Sequence, residues 1–141
     1  MDLSQYSAME TMRDGRPLEI RALQPADRDG LRGALDRMSD ETIRRRFFGL
    51  KRHFDEKEVA YYTEVDFVDH VALVAVVEED GRPIVVGGAR YIVSRPGAAE
   101  VAFAVDDAHQ GHGIGPLLMR HLVEIAGRAG VAELYAEVLP E

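Results

Sequence analysis

Cysteine is absent from the 141 residues, which excludes disulfides, thiolate metal sites and any reaction that parks an acyl group on a protein thiol. A transfer reaction by this chain must be direct. Long hydrophobic runs are also missing. The longest uninterrupted apolar stretch, Val71 to Val77, falls far short of the roughly 18 residues of a membrane-spanning helix. The N-terminal residues lack a basic start followed by an apolar segment, so nothing reads as a secretory signal. A cytoplasmic protein without a membrane partner is expected. Positive charge is in deficit, with 17 Lys and Arg against 25 Asp and Glu and a net charge of -8. Phosphate backbones demand a basic surface, which argues against general nucleic-acid binding. Any anionic ligand has to be held locally.

What is present is the composition of one ordinary globular domain, 46% apolar and 30% charged, with a length that suits a single core. Residues 1–16 show no sustained apolar period, and Asp14-Gly15-Arg16-Pro17 is turn chemistry, so this segment is expected to be a mobile leader. The domain, residues 17–141, begins with Leu18 to Leu23, whose alternation predicts a half-buried strand. Pro25 starts a helix carrying Leu31, Ala34, Leu35 and Met38 at helical spacing. A second short helix is expected from Ser39 to about Gly49, and a third from Asp55 to Glu64.

Val71 to Glu78 and Ile84 to Ser94 flank a turn-rich connection, and Ala99 to Val105 follows Arg95-Pro96-Gly97, so three antiparallel strands are predicted. After a glycine-rich turn, Ile114, Leu117, Leu118, Leu122, Ile125, Ala126 and Ala129 mark one face of a long helix that stops at Gly130. Leu134 to Leu139 supplies a last strand, and the connection favours parallel pairing with the Ala99 strand. The expectation is an α+β fold with a mixed, mostly antiparallel sheet flanked by helices, in the order strand-helix-helix-strand-strand-strand-helix-strand.

Gln110-Gly111-His112-Gly113-Ile114-Gly115 lies between a strand and a helix. Main-chain N–H groups converge there, and the helix dipole adds partial positive charge, a combination suited to phosphate oxygens. A P-loop needs Lys followed by Ser or Thr after the last glycine, where this chain has Pro116 and Leu117. A dinucleotide fingerprint needs Gly-x-Gly-x-x-Gly at the start of a βαβ unit, and hairpin-linked strands with Gly-x-Gly-x-Gly stand here instead. Both readings fail, which leaves another phosphate ligand or a turn that binds nothing.

At these residues the chain resembles the GNAT acetyltransferases, whose turn reads Gln/Arg-x-x-Gly-x-Gly/Ala; Gln110, Gly113 and Gly115 occupy its fixed positions. The likeness extends in element order from Leu18 to Leu139. It implies that acetyl-CoA is the co-substrate, its pyrophosphate held by Gln110, Gly111, His112, Gly113, Ile114 and Gly115. It also implies that Phe103, Ala104 and Val105 meet the pantetheine arm and thioester carbonyl through the main chain. The family's usual C-terminal helix and closing hairpin would lie beyond this sequence. An incomplete domain is therefore expected, with an exposed last strand open to self-association. Tyr135 is not at the family's general-acid position, so that role stays unassigned.

An amine attacks a thioester only when neutral, and a free lysine has a pKa of about 10.4, so a positioned base helps. Alternation puts Glu100, Ala102 and Ala104 on one face of their strand and Val101, Phe103 and Val105 on the other. Spacing alone leaves Glu100 as either a base or a solvated strand residue. Ala99-Glu100-Val101-Ala102-Phe103 resembles the stretch in which protein lysine acetyltransferases of this family carry their catalytic glutamate, which implies Glu100 as general base. Ser39 to Phe48 is similar to the region of bacterial acetyltransferase domains that modify acyl-CoA synthetases on lysine, although its arginines read first as a solvated face over core phenylalanines. The expected function is acetyl transfer from acetyl-CoA to a primary amine, with protein lysine ahead of small amines. The alternatives are a small-molecule amine acetyltransferase and a CoA-thioester-binding sensor without turnover. No metal is expected, because His109 and His112 have no third ligand at motif spacing and read as loop histidines. His121 reads as a boundary residue of the long helix.

Overall fold

In the computed structural model the described residues are 2–40 and 55–136. Their strands are β1 (Ser7–Thr11), β2 (Pro17–Ala22), β3 (His70–Glu79), β4 (Arg82–Arg95), β5 (Ala98–Val105) and β6 (Glu133–Tyr135). Helices α1 (Arg28–Asp36), α2 (Glu56–Thr63) and α3 (Ile114–Arg128) accompany them. The six strands form one sheet in sequence order. Every neighbouring pair is antiparallel except β5 and β6, which are parallel with Glu100 opposite Tyr135. That single parallel pair follows from the connection through α3, which carries the chain back across the sheet. The mixed α+β expectation is met.

β3 lies between β2 and β4 with both faces covered, which explains why His70 to Val77 are all buried and why its sequence is continuously apolar. Helix α3 packs on one face, where Ile114, Leu118, Leu122 and Ile125 join Leu18, Ile20, Leu73, Tyr91 and Val101. Each such aliphatic side chain contributes about 2 kcal/mol by leaving water. The other face packs Leu23, Val74 and Val85 against Leu31, and Ala104 against Ala34 and Met38. Helix α1 is steered onto that face by a two-pronged contact, in which the Arg21 guanidinium donates to both Asp27 carboxylate oxygens at 2.8 Å. At α2, Asp55 and Glu58 form a reciprocal capping pair, as a helix N-terminus requires.

The N-terminal segment departs from expectation. Residues 1–16 read as a mobile leader, yet Leu3–Gln5 form a 3-10 turn and Ser7–Thr11 pair with β2 from Arg21 to Pro17. β1 is an edge strand with no fully buried residue, so it shows no apolar alternation. Its hold on the core comes from flanking residues, with Leu3 8% and Met12 2% exposed. The Asp14-Gly15 turn is the hairpin connection: Gly15 has φ of 89°, and Met12 N–H donates to Arg16 O at 2.9 Å. The helix expected from Ser39 to Gly49 falls largely outside the described residues, as does the end of the strand expected from Leu134 to Leu139.

Candidate functional site

The turn after β5 is built on a buried acid. Asp106 is fully buried and caps the 3-10 turn Asp107–His109 by accepting from the His109 N–H. Its Oδ2 accepts from Arg37 Nε at 2.9 Å, and Arg37 also donates to the Val85 carbonyl at 2.7 Å. The His109 ring stands between two carboxylates, Nδ1 2.5 Å from Asp106 Oδ1 and Nε2 2.6 Å from Glu79 Oε1. His109, read as a loop histidine, is therefore a buried strut between this loop and the end of β3. Gln110 folds back so that its Nε2 donates to Val105 O at 3.0 Å.

Beyond Gln110 the chain adopts positive φ at Gly111 (84°) and Gly113 (85°), and Gly113 is the N-cap of α3. A side chain at Gly113 would be strained in this conformation. Gly115 lies under Phe103, whose ring would stand 3.3 Å from a Cβ placed there. The result is a cavity of about 570 Å³ lined by Phe103, Val105, Gln110, Gly111, Gly113, Ile114 and Gly115, together with Arg13. The first-turn N–H groups of α3 have no intrahelical acceptors, so the cavity meets the positive end of a 15-residue helix. His112 is set apart from this lining: its carbonyl accepts from Arg13 N–H at 3.1 Å, and its Nδ1 lies 3.7 Å from Asp14.

A second cavity, of about 270 Å³, opens on the other side of β5 between the sheet and helices α1 and α2. Glu100, Ala102 and Ala104 face it, beside Leu31, Leu35, Met38 and Tyr62. Glu100 stands opposite Ile92 of β4 and is partly exposed. Arg90, one pleat away and opposite Ala102, shares the cavity. Its Nη1 donates to Tyr62 O at 3.0 Å and to His70 Nε2 at 2.9 Å, and its guanidinium lies 5.1 Å from the centre of the Tyr62 ring. Burial pulls the Arg90 pKa down to about 10, so the group remains a cation at neutral pH. Burial, with Arg90 beside it, holds His70 at about 4, which leaves a neutral ring able to accept from arginine. Asp66 fixes the entry to β3 by accepting from the N–H groups of Val68, Asp69 and His70.

The structure thus divides the residues singled out from the sequence. Phe103, Val105, Gln110, Gly111, Gly113, Ile114 and Gly115 line one cavity, while Glu100 and Ala104 face the other. Sequence reasoning missed Arg13, Arg37, Glu79, His70, Arg90 and Asp106. Arg90 left one signal, a lone cation in the apolar run of β4, because such a residue requires a buried partner. The others meet only through tertiary packing. His121, read as a boundary residue, is buried, with Nδ1 2.5 Å from Tyr6 Oη and Nε2 2.6 Å from Glu10.

The sequence pattern of the Acetyltransferase (GNAT) family matches residues 35–141. An acetyltransferase of Pseudomonas aeruginosa is 34% identical over 129 residues, covering 91% of this chain and 69% of its own. The acetyltransferase Pat of Mycolicibacterium smegmatis is 34% identical over 132 residues, covering 92% of this chain. The chain spans 39% of the length of that relative. Among solved structures, the GNAT domain of S. lividans PAT is similar with a TM-score of 0.83 and 34% identity, over 95% of this chain and 79% of that one.

Proposed function

Because the chain belongs to the GNAT acetyltransferase family, an acyltransferase class, we propose that it moves an acetyl group from acetyl-CoA to a primary amine, with Glu100 as general base. The observation that carries this reading is the arrangement of β5. One face of the strand presents Glu100 to a cavity whose walls are mostly apolar but also carry Arg28, Arg32 and Arg90, and its C-terminal end runs directly into the glycine turn at the start of α3. The acid and the glycine turn are thereby joined by one strand. The turn offers two glycines at positive φ and a helix N-terminus beside a cavity, which fits the pyrophosphate of CoA.

The acceptor enters as an ammonium group and must lose a proton before it attacks. Apolar neighbours such as Leu31, Leu35 and Met38, together with the positive charge of Arg28, Arg32 and Arg90 in the same lining, disfavour the charged amine. Glu100, directly or through a water, takes the proton. The amine nitrogen then forms its bond to the thioester carbonyl carbon, the carbon–sulfur bond breaks, and the second proton lost by that nitrogen balances the one that the leaving CoA thiolate takes up, giving a neutral amide and CoA thiol. Small side chains at Ala102 and Ala104 leave room beside the carboxylate. We place a protein lysine ahead of small amines as acceptor, on the resemblance of Ser39 to Phe48 to acetyltransferase domains that act on acyl-CoA synthetases.

One variant tests the reading. Glu100→Gln is expected to lower amine-dependent CoA release by about 10²- to 10⁴-fold, while acetyl-CoA affinity measured by calorimetry stays near that of the wild type. A fully active Glu100→Gln enzyme would remove Glu100 from the mechanism. Acetyl-CoA binding without turnover on any amine would favour a sensor.

A further inference from the structure

The turn described above presents only partial charges, whereas the nucleotide of a CoA thioester carries several full negative charges in its pyrophosphate and 3′-phosphate. The protein as a whole, at a net charge of -8, repels such a ligand. Within the cavity at the turn, Arg13 is the one Lys or Arg among the lining residues. It comes from the hairpin between β1 and β2, outside the residues that the family pattern matches.

Its position is fixed by the main chain. Arg13 N–H donates to His112 O at 3.1 Å, which ties the hairpin to the glycine turn. The neighbouring Met12 is buried, and Gly15 N–H donates to Met12 O at 2.9 Å. The side chain then runs across Gly113, where an added Cβ would lie 3.2 Å from Arg13 Nε. Arg13 is an exposed residue and has no carboxylate partner among the described residues. The nearby Asp14 is engaged by Arg16 at 2.8 Å and lies 3.7 Å from His112 Nδ1. An arginine with no counter-ion among the described residues, laid over the N-cap of α3, is arranged to meet an anion, and its planar fork suits phosphate.

Resting on the reading that this turn holds the phosphates of acetyl-CoA, we propose that Arg13 is a cofactor-binding residue whose guanidinium contacts a phosphate group of the nucleotide. The hairpin is thereby part of the binding site. A glycine at 113 serves twice, since it permits the positive φ and leaves space for the arginine side chain to cross.

The test is calorimetric titration of the wild-type chain and of Arg13→Ala, Arg13→Gln and Arg13→Lys with acetyl-CoA and with 3′-dephospho-acetyl-CoA, beside Gly113→Glu. Arg13→Ala and Arg13→Gln should bind acetyl-CoA about ten- to a hundredfold more weakly, as for loss of a charge-assisted hydrogen bond. Arg13→Lys should recover part of the affinity, because it keeps the charge without the fork. The wild-type affinity should fall more steeply with added salt than that of Arg13→Gln. A 3′-phosphate contact predicts that Arg13→Ala binds both ligands alike, whereas a pyrophosphate contact predicts the same loss with both. Affinities within about twofold of wild type in Arg13→Ala would overturn the proposal. If Gly113→Glu still abolished binding, the turn would keep its role without Arg13. Equal losses in the lysine and alanine variants, accompanied by a drop in thermal stability, would overturn it in favour of a structural role. A folded wild-type chain that binds no acetyl-CoA would sink both this proposal and the reading beneath it.

Discussion

The two sides of β5 are built on different principles. On the side of the glycine turn, the cavity is made mainly by main chain: two glycines at positive φ, a helix start and a glutamine folded onto the strand end. Apart from Arg13, the residues discussed there fall within Phe103 to Met119. On the other side, the cavity is made by side chains drawn from α1, α2, β4 and β5, spread from Arg28 to Ala104. A main-chain site depends on local conformation and tolerates varied side chains. A side-chain site depends on long-range packing, and its electrostatics are set by neighbours such as Arg90 and His70 that no local pattern brings together.

Asp106 joins the two. It anchors the loop after β5 to α1 through Arg37 and to β3 through His109 and Glu79. Asp106→Ala is expected to destabilise the fold by about 3 kcal/mol, because Arg37 Nε and the main-chain N–H and ring Nδ1 of His109 lose their buried partner. Urea denaturation measures this. Glu79→Gln should cost much less, about 1 kcal/mol or below, since Glu79 is 37% exposed and water can replace it. If Asp106→Ala cost no more than Glu79→Gln, the two sites would be held together by packing alone.

A second, smaller effect isolates the side-chain side. The His70 pKa lies at about 4 in the fold, against 6.5 in the reference state. Between those values the unfolded chain binds more protons than the folded one, so stability contributed by neutral His70 is present above about pH 6.5 and is lost as pH falls towards 4. The full window corresponds to at most about 3 kcal/mol. His70→Gln keeps an acceptor for Arg90 and does not titrate. The difference in unfolding free energy between wild type and variant should therefore shrink or reverse across that window, and a pH-independent difference would remove His70 from this account.

The same contrast explains what the sequence disclosed. β3 was legible because a strand covered on both faces must be apolar throughout, and α3 because its inward stripe from Ile114 to Ala126 follows the helical period. The positions of Phe103, Val105 and Gln110 to Gly115 were largely legible because the turn is local, although His112 is not among the residues that line the cavity. β1 was invisible because an edge strand needs no apolar alternation, and its anchors Leu3 and Met12 lie outside it. Arg13 was lost with it. His109 looked like a loop residue because its partners Glu79 and Asp106 come from two separate parts of the chain. Sequence gave Glu100 its face by strand alternation, but Arg90 beside it became evident only when β4 was laid against β5.

Adjacent residues of β4 carry the comparison to its smallest scale. Arg90 faces the side-chain cavity with its partners Tyr62 and His70, while Tyr91, fully buried, turns into the core under α3. The Tyr91 hydroxyl has no hydrogen-bond partner among the described residues. An unsatisfied buried hydroxyl is a cost, whereas the ring contributes the packing. Tyr91→Phe should therefore leave stability unchanged or raise it by up to about 1 kcal/mol, with no change in acetyl-CoA affinity. The measurement is a urea midpoint at constant denaturant slope. A loss of more than about 1 kcal/mol would mean that the hydroxyl is satisfied by an ordered water, and the α3 face of β4 would then depend on a polar contact much as the cavity face does.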